Sequence, residues 1–234
     1  MQLFYCPNIN PDQIHRLDKE ESRHLIKVLR QEIGDKVYFT DGLGNLFESE
    51  ILDPDPRACS VKIINTQKKY NKRDYFLHIG IAPTKNKARI EWFMEKATEM
   101  GIDEITPIIC EHSEREIIKH ERSQKVIISA MKQSLKAYLP KLNPPTPLLD
   151  LIQNSNETHK LMGYCIGENR KLIKEIYKPK NSVLILIGPE GDFSEREVEE
   201  EMEKKFQIIR LGKERLRTET AGLYVVNIIH SLNQ

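Results

Sequence analysis

Beyond residue 74 the apolar positions alternate between two rhythms. Short continuous apolar runs predict buried strands at Phe76 to Ala82, Ile105 to Cys110, Leu161 to Ile166, Ser182 to Ile187 and Gln207 to Leu211. Between them, apolar residues recur at helical spacing. Ile90, Phe93, Met94 and Ala97 predict one helix, with Gly101 as its stop. Further helices are predicted over Ser123 to Tyr138 (ending before Pro140), Arg170 to Tyr177, Ser194 to Lys205 and from Thr218 onward, with a Pro-rich loop at residues 140–147. Such βα alternation implies a mostly parallel sheet covered on both faces.

Before residue 70 the rhythm is different. Val37-Tyr38-Phe39, Leu46 to Leu52 and Cys59 to Ile64 read as short strands. They are separated by turn chemistry at Asp41-Gly42-Leu43-Gly44-Asn45 and Asp53-Pro54-Asp55-Pro56. With a short helix around Glu20 to Arg30, this predicts a small barrel or sandwich. Lys68 to Arg73 is a polar, basic joint. Two domains are therefore expected, residues 1–70 and 74–234.

Composition narrows the class. The chain has 234 residues, 39% of them apolar and 30% charged, with 36 Lys+Arg against 35 Asp+Glu. That is a soluble globular composition with room for a sizeable core. No apolar run is long enough to cross a bilayer, and Met1-Gln2-Leu3-Phe4-Tyr5 lacks a signal-peptide pattern, so a cytoplasmic protein without a membrane partner is expected. Cys6, Cys59, Cys110 and Cys165 are far apart, and no histidine spacing suits a metal, so neither a disulfide framework nor a metal site is expected. The net charge of +1 conceals local contrast: residues 119–141 carry six Lys/Arg against one Glu, while residues 195–203 carry six Glu against one Arg.

Two segments combine a strand end, a glycine and a helix start. One is Ile187-Gly188-Pro189-Glu190-Gly191-Asp192-Phe193-Ser194, where Ser194 and Glu197 form an S-x-x-E capping box. The other is Leu211-Gly212-Lys213-Glu214-Arg215-Leu216-Arg217-Thr218-Glu219-Thr220-Ala221. Open α/β sheets bind ligands beyond the carboxyl ends of their strands, where small residues admit a ligand to the backbone. Neither the Walker nor the dinucleotide glycine fingerprint is present. The pattern by itself stops at an α/β domain with a ligand crevice, and plain turns remain an equal reading.

These two segments resemble the SPOUT (α/β-knot) methyltransferases, in the branch that methylates N3 of one uridine of 16S rRNA. His24-Leu25, Val28-Leu29-Arg30, Gly34-Asp35, Lys96 to Gly101, Pro107, Ser113-Glu114-Arg115 and Gln133-Ser134 extend the resemblance over nearly the whole chain. Departures occur at Asp192 (usually glycine), Lys132 (commonly acidic), Lys136 (commonly arginine) and Lys213-Glu214-Arg215. The resemblance implies a C-terminal α/β trefoil-knot domain, a small N-terminal PUA-like β-barrel that binds RNA, S-adenosyl-L-methionine as cofactor, the small ribosomal subunit as partner, and a homodimer. On that basis Ile187, Gly188, Glu190, Gly191, Leu211, Gly212, Leu216, Thr220 and Ala221 are expected at the cofactor. Arg217 and Glu219 are expected in catalysis, with Glu219 orienting Arg217 or assisting proton removal. Arg23, Lys27, Arg30 and Lys136 are expected on RNA. Two alternatives stand beside this reading: a SPOUT enzyme for another RNA position, such as a ribose 2′-hydroxyl, and a non-catalytic ribosome-assembly factor.

Overall fold

The computed structural model describes residues 2–166 and 170–234. The chain forms two compact units. Unit 1 comprises Met1–Lys72 and Met131–Leu139, and unit 2 comprises Arg73–Ala130 and Pro140–Gln234.

Unit 1 contains β1 (Leu3–Tyr5), β2 (His15–Arg16), α1 (Lys19–Arg23), β3 (Lys36–Thr40), β4 (Leu46–Asp53) and β5 (Ser60–Gln67). They form one five-stranded sheet in the order β1-β3-β4-β5-β2, in which only β1 runs parallel to its neighbour. The β3–β4 hairpin turns where Asp41 Oδ1 accepts the Leu43 N–H at 2.8 Å, as turn chemistry requires. Phe4, Leu25, Phe39, Phe47, Ile51 and Val61 fill the core. The expected helix over Glu20 to Arg30 has two parts: one turn of α1 and then a π-helical segment, His24–Val28. Leu29 N–H reaches the His24 carbonyl at 3.0 Å, and Arg30 closes the segment in the left-handed region at φ 57°.

Unit 2 holds β6 (Phe76–Ile81), α2 (Lys87–Met100), β7 (Glu104–Ile109), α3 (His120–Gln133, which ends in unit 1), β8 (Lys141–Leu142), β9 (Thr146–Pro147), α4 (Leu148–Asn154), β10 (His159–Gly163), α5 (Ile173–Ile176), β11 (Ser182–Ile187), α6 (Glu195–Glu203), β12 (Gln207–Ile209) and α7 (Thr218–Leu232). The sheet is parallel throughout, in the order β12-β10-β11-β6-β7-β8 with β9 beside β7. Both faces are covered. On β6, Gly80 faces Leu151 of α4, whereas Ile81 faces the opposite side, against α7 and Phe93 of α2. A Cβ on Gly222 of α7 would stand 2.8 Å from both Ile81 Cδ1 and Phe93 Cε2, so only glycine lets α7 seat this closely. Central β11 is buried on both faces, which is why its sequence Val183 to Ile187 is unbroken apolar.

Two predicted helices differ markedly in extent, and one helix, α4, is not predicted. The helix expected to reach Tyr138 stops at Gln133. Leu135 turns left-handed at φ 56°, and the Leu135 and Lys136 N–H groups bond back to the Lys132 and Met131 carbonyls. That is a Schellman cap without its usual glycine, so the sequence carried no stop signal. The helix expected over Arg170 to Tyr177 is the single turn α5, and α4 rises directly out of the Pro-rich stretch. Among the described residues, no helix is long and apolar enough to cross a membrane.

Candidate functional site

Both glycine segments lie at the carboxyl edge of the parallel sheet, one after β11 and the other after β12. Gly188 and Pro189 are buried, and Glu190 and Gly191 form the exposed tip. The Asp192 N–H closes a turn onto the Pro189 carbonyl at 3.0 Å, and Asp192 itself is left-handed at φ 63°. Aspartate substitutes here for the glycine of the family pattern because its side chain secures the conformation. Oδ1 accepts the Phe193 N–H and Oδ2 the Cys165 N–H, each at 3.0 Å. Phe193 turns inward beneath Gly188, where a Cβ would meet its ring at 3.1 Å.

The capping box ties this loop to its neighbour after β7. Buried Glu197 accepts the Ser194 N–H at 2.8 Å and the Glu111 N–H at 2.9 Å, while Ser194 Oγ accepts the Glu197 N–H at 3.3 Å. His112 Nδ1 lies 3.1 Å from the Asp192 carbonyl oxygen, completing the link. Cys110, at the end of this strand, is buried, and burial together with the Glu197 and Glu201 carboxylates pushes its thiol up. It packs into the core cluster that also holds Ala82, Ile108 and Phe193. Among the described residues, no group of three His, Cys, Asp or Glu is placed to hold a metal.

The second loop joins the first through Thr218, whose buried hydroxyl donates to the Gly188 carbonyl at 3.1 Å. Leu211 and Ile187 approach each other at Gly163, the last residue of β10, where a Cβ would stand 4.0 and 3.3 Å from their side chains. Gly212 adopts φ 132° and has no heavy atom within 4 Å of its Cβ position. The backbone there is bare, in a conformation that side chains rarely adopt. Arg210, Lys213, Arg215 and Arg217 are all exposed along this loop, Leu216 is half-buried, and Ala221 is buried.

Arg217 is the N-cap residue of α7 and presents its side chain to solvent. Glu219, in the first turn, is buried. Its Oε1 lies 3.7 Å from Arg89 Nε, and its Oε2 is a buried oxygen without a hydrogen-bond partner among the described residues. Its ion-pair partner is therefore Arg89, which projects from the first turn of α2, and among the described residues no ion pair links it to Arg217, the partner expected in one of its two roles. Arg89 gave no signal in sequence, since 130 positions separate it from Glu219. Thr220 is exposed.

The four residues expected on RNA all belong to unit 1. Arg23, Lys27 and Arg30 are exposed and follow one another around the π-helical segment, whereas Lys136 is half-buried in the 131–139 segment. Lys132, another departure from the family pattern, forms an ion pair with Glu21 at 2.7 Å and lies over the Phe4 ring.

Known proteins share this architecture. Residues 71–230 match the family model for the RNA methyltransferase domain, and residues 17–64 match the RNA methyltransferase PUA domain. The ribosomal RNA small subunit methyltransferase E of Aquifex aeolicus is 30% identical over 80% of this chain and 81% of its own. A crystal structure of a probable rRNA methyltransferase from Porphyromonas gingivalis is 40% identical, with a TM-score of 0.94 over 100% of this chain and 98% of its own. The Neisseria gonorrhoeae ribosomal RNA small subunit methyltransferase E, solved with bound S-adenosyl methionine, is 27% identical with a TM-score of 0.85 over 100% of this chain and 98% of its own. The matched domains, their order and the whole-length structural agreement place this chain in the ribosomal RNA small subunit methyltransferase E family of RNA methyltransferases.

Proposed function

We propose that this protein transfers a methyl group from S-adenosyl-L-methionine to N3 of one uridine of 16S rRNA in the small ribosomal subunit, acting as a cytoplasmic homodimer. The observation that carries the reading is the joined pair of loops: Thr218 fixes the Gly188 carbonyl, Gly212 leaves its backbone bare, and Arg217 stands exposed where α7 begins. The knotted threading implied by the resemblance is part of the same reading. It is supported by the last strand, β12, lying beside β10 rather than beside β11, which precedes it in sequence.

The chain's own residues fit the cofactor. A bare left-handed glycine and an orphaned buried carboxylate oxygen on Glu219 are features expected of a pocket built for a polar ligand. Backbone groups of Ile187, Gly188, Leu211, Gly212 and Leu216 would hold it, with Glu190, Gly191, Thr220 and Ala221 shaping the walls. When bound, the cofactor supplies an electrophilic methyl on a sulfonium, so the protein's task is orientation and charge.

Uridine N3 attacks well only after losing its proton, which leaves negative charge shared with O2 and O4. The Arg217 guanidinium, exposed and always cationic, is assigned to that charge. Glu219, with one oxygen beside Arg89 and the other unpartnered among the described residues, is assigned to proton removal. Arg23, Lys27, Arg30 and Lys136 are assigned to the RNA backbone, with residues 1–70 as the PUA-like RNA-binding domain, to which the 131–139 segment of unit 1 is added, and the rest of 74–234 as the methyltransferase domain.

Arg217→Ala tests the catalytic assignment. Methyl transfer should fall about 100-fold, the scale of removing one charge-stabilising donor. Calorimetric S-adenosyl-L-methionine binding should survive. Turnover near the wild-type rate would remove Arg217 from the mechanism.

A further inference from the structure

Ser113-Glu114-Arg115 follows β7, and the proposed reaction gives it no task. The chain turns sharply there: the Ser113 N–H bonds the Cys110 carbonyl at 3.0 Å, and Ser113 Oγ accepts the Cys110 N–H at 2.9 Å. This turn is fastened to the 188–194 loop. Glu197 accepts the Glu111 N–H at 2.9 Å, and His112 Cβ lies 3.1 Å from where a Cβ on Gly191 would stand. Arg115 leaves the fastened turn two residues on, at the carboxyl edge of the sheet, next to a loop assigned to the cofactor.

The Arg115 side chain is half-buried, and its Nε is buried without a hydrogen-bond partner among the described residues. Carboxylates nearby in the chain or across the turn do not neutralise it. Glu114 is paired with Lys85 at 3.1 Å, and exposed Glu116 forms no ion pair among the described residues. Glu197 is taken up by the N–H groups of Glu111 and Ser194. A buried donor that no protein atom satisfies costs stability, and such groups are rare in native proteins. Stability does not account for Arg115, because an unbranched apolar side chain would fill the same space and orphan no donor. Its guanidinium is a planar fork of donors, always charged, with a geometry that matches an oxyanion.

We infer that Arg115 receives an oxyanion of a bound substrate at the methyl-transfer site. Two sources share that chemistry: a phosphate of the RNA and the carboxylate of S-adenosyl-L-methionine. The inference rests on the proposed reaction and adds to it a binding residue outside both glycine loops.

The full-length chain is compared with its Arg115→Met and Arg115→Lys variants. Calorimetry measures affinity for S-adenosyl-L-methionine and for methylthioadenosine, which keeps the adenosine and the sulfur but has no carboxylate. Affinity for unmethylated small ribosomal subunits is measured over a salt series. Arg115→Met should melt at or above the wild type, since it removes an orphaned donor, yet bind one ligand about tenfold more weakly, with Arg115→Lys in between. Weaker S-adenosyl-L-methionine binding with methylthioadenosine unchanged supports the inference and assigns the carboxylate. Weaker subunit binding with a salt slope shallower by about 0.7 supports it and assigns a phosphate. Wild-type affinity of Arg115→Met for both S-adenosyl-L-methionine and subunits overturns it. Equal weakening of S-adenosyl-L-methionine and methylthioadenosine, with the salt slope unaltered, overturns it as well. If Arg115→Met melts below the wild type, the same comparisons are read from Arg115→Lys. A wild-type protein that binds neither S-adenosyl-L-methionine nor subunits refutes the functional reading and the inference together, whereas wild-type binding that the variants keep refutes the inference alone.

Discussion

Replacing Glu201 by glutamine should change how the stability of this protein depends on pH. Glu201 sits on α6, one turn beyond Glu197 of the capping box that anchors the 188–194 loop, and is fully buried. Neither carboxylate oxygen has a hydrogen-bond partner among the described residues. Burial, reinforced by the negative charges of Glu197 and Asp192, pushes its pKa from 4.5 up to about 9. The folded protein therefore keeps the Glu201 proton over a range in which the unfolded chain has lost it. A raised folded pKa stabilises fully below 4.5, and that contribution is lost progressively as pH rises toward about 9. Within the window the slope is about 1.4 kcal/mol per pH unit, so from pH 6 to pH 8 the wild type should lose about 3 kcal/mol through this group. Glu201→Gln cannot titrate and should lack that component, whatever constant cost the buried amide carries. Urea unfolding of both proteins at pH 6 and pH 8 measures the difference of differences, in which that constant cancels. Parallel pH dependence in the two proteins would refute the reasoning.

Three further outcomes follow from the same geometry. Thr218→Val keeps the shape but removes the hydroxyl that donates to the Gly188 carbonyl. It should cost about 1 kcal/mol in thermal or urea unfolding and weaken S-adenosyl-L-methionine binding by calorimetry, whereas full cofactor affinity would show that the two loops need no such tie. Gly222→Ala places a methyl 2.8 Å from Ile81 and Phe93 and should destabilise by about 1–3 kcal/mol; a wild-type melting temperature would mean that α7 is free to lift. Neutralising Arg23, Lys27 and Arg30 together should flatten the dependence of log K on log salt for single-stranded RNA by about 2 if each meets one phosphate, and an unaltered slope would place the RNA elsewhere.

Much of unit 2 was legible in the sequence because buried parallel strands and capped helices carry local signals. Ser182 to Ile187 is a strand with the predicted bounds, and Ser194 with Glu197 starts α6 as the S-x-x-E pattern requires. Other features are decided by contacts remote in the chain. The π-helical segment at His24–Val28 and the left-handed Leu135 have no glycine to announce them. The pairing of β1 with β3 is parallel and set by tertiary position. At the site, both loops could be read from residue type and order, whereas Arg217 was singled out only by the resemblance. The Arg89–Glu219 pairing, the second role of Glu197 in holding the Glu111 N–H, and the burial of Glu201 needed the fold. Asp192 shows the difference well: a departure from the usual glycine in sequence, it takes the same left-handed conformation in the structure and secures it with its own carboxylate.

The central claim is the reaction, and mapping the product tests it directly. Small ribosomal subunits from cells lacking this methylation are incubated with the purified protein and isotopically labelled S-adenosyl-L-methionine, and the labelled nucleoside is identified by mass spectrometry and located in 16S rRNA. The account predicts label in one nucleoside, N3-methyluridine, at a single position. Label on a ribose 2′-hydroxyl, or no transfer to the small subunit at all, would contradict it.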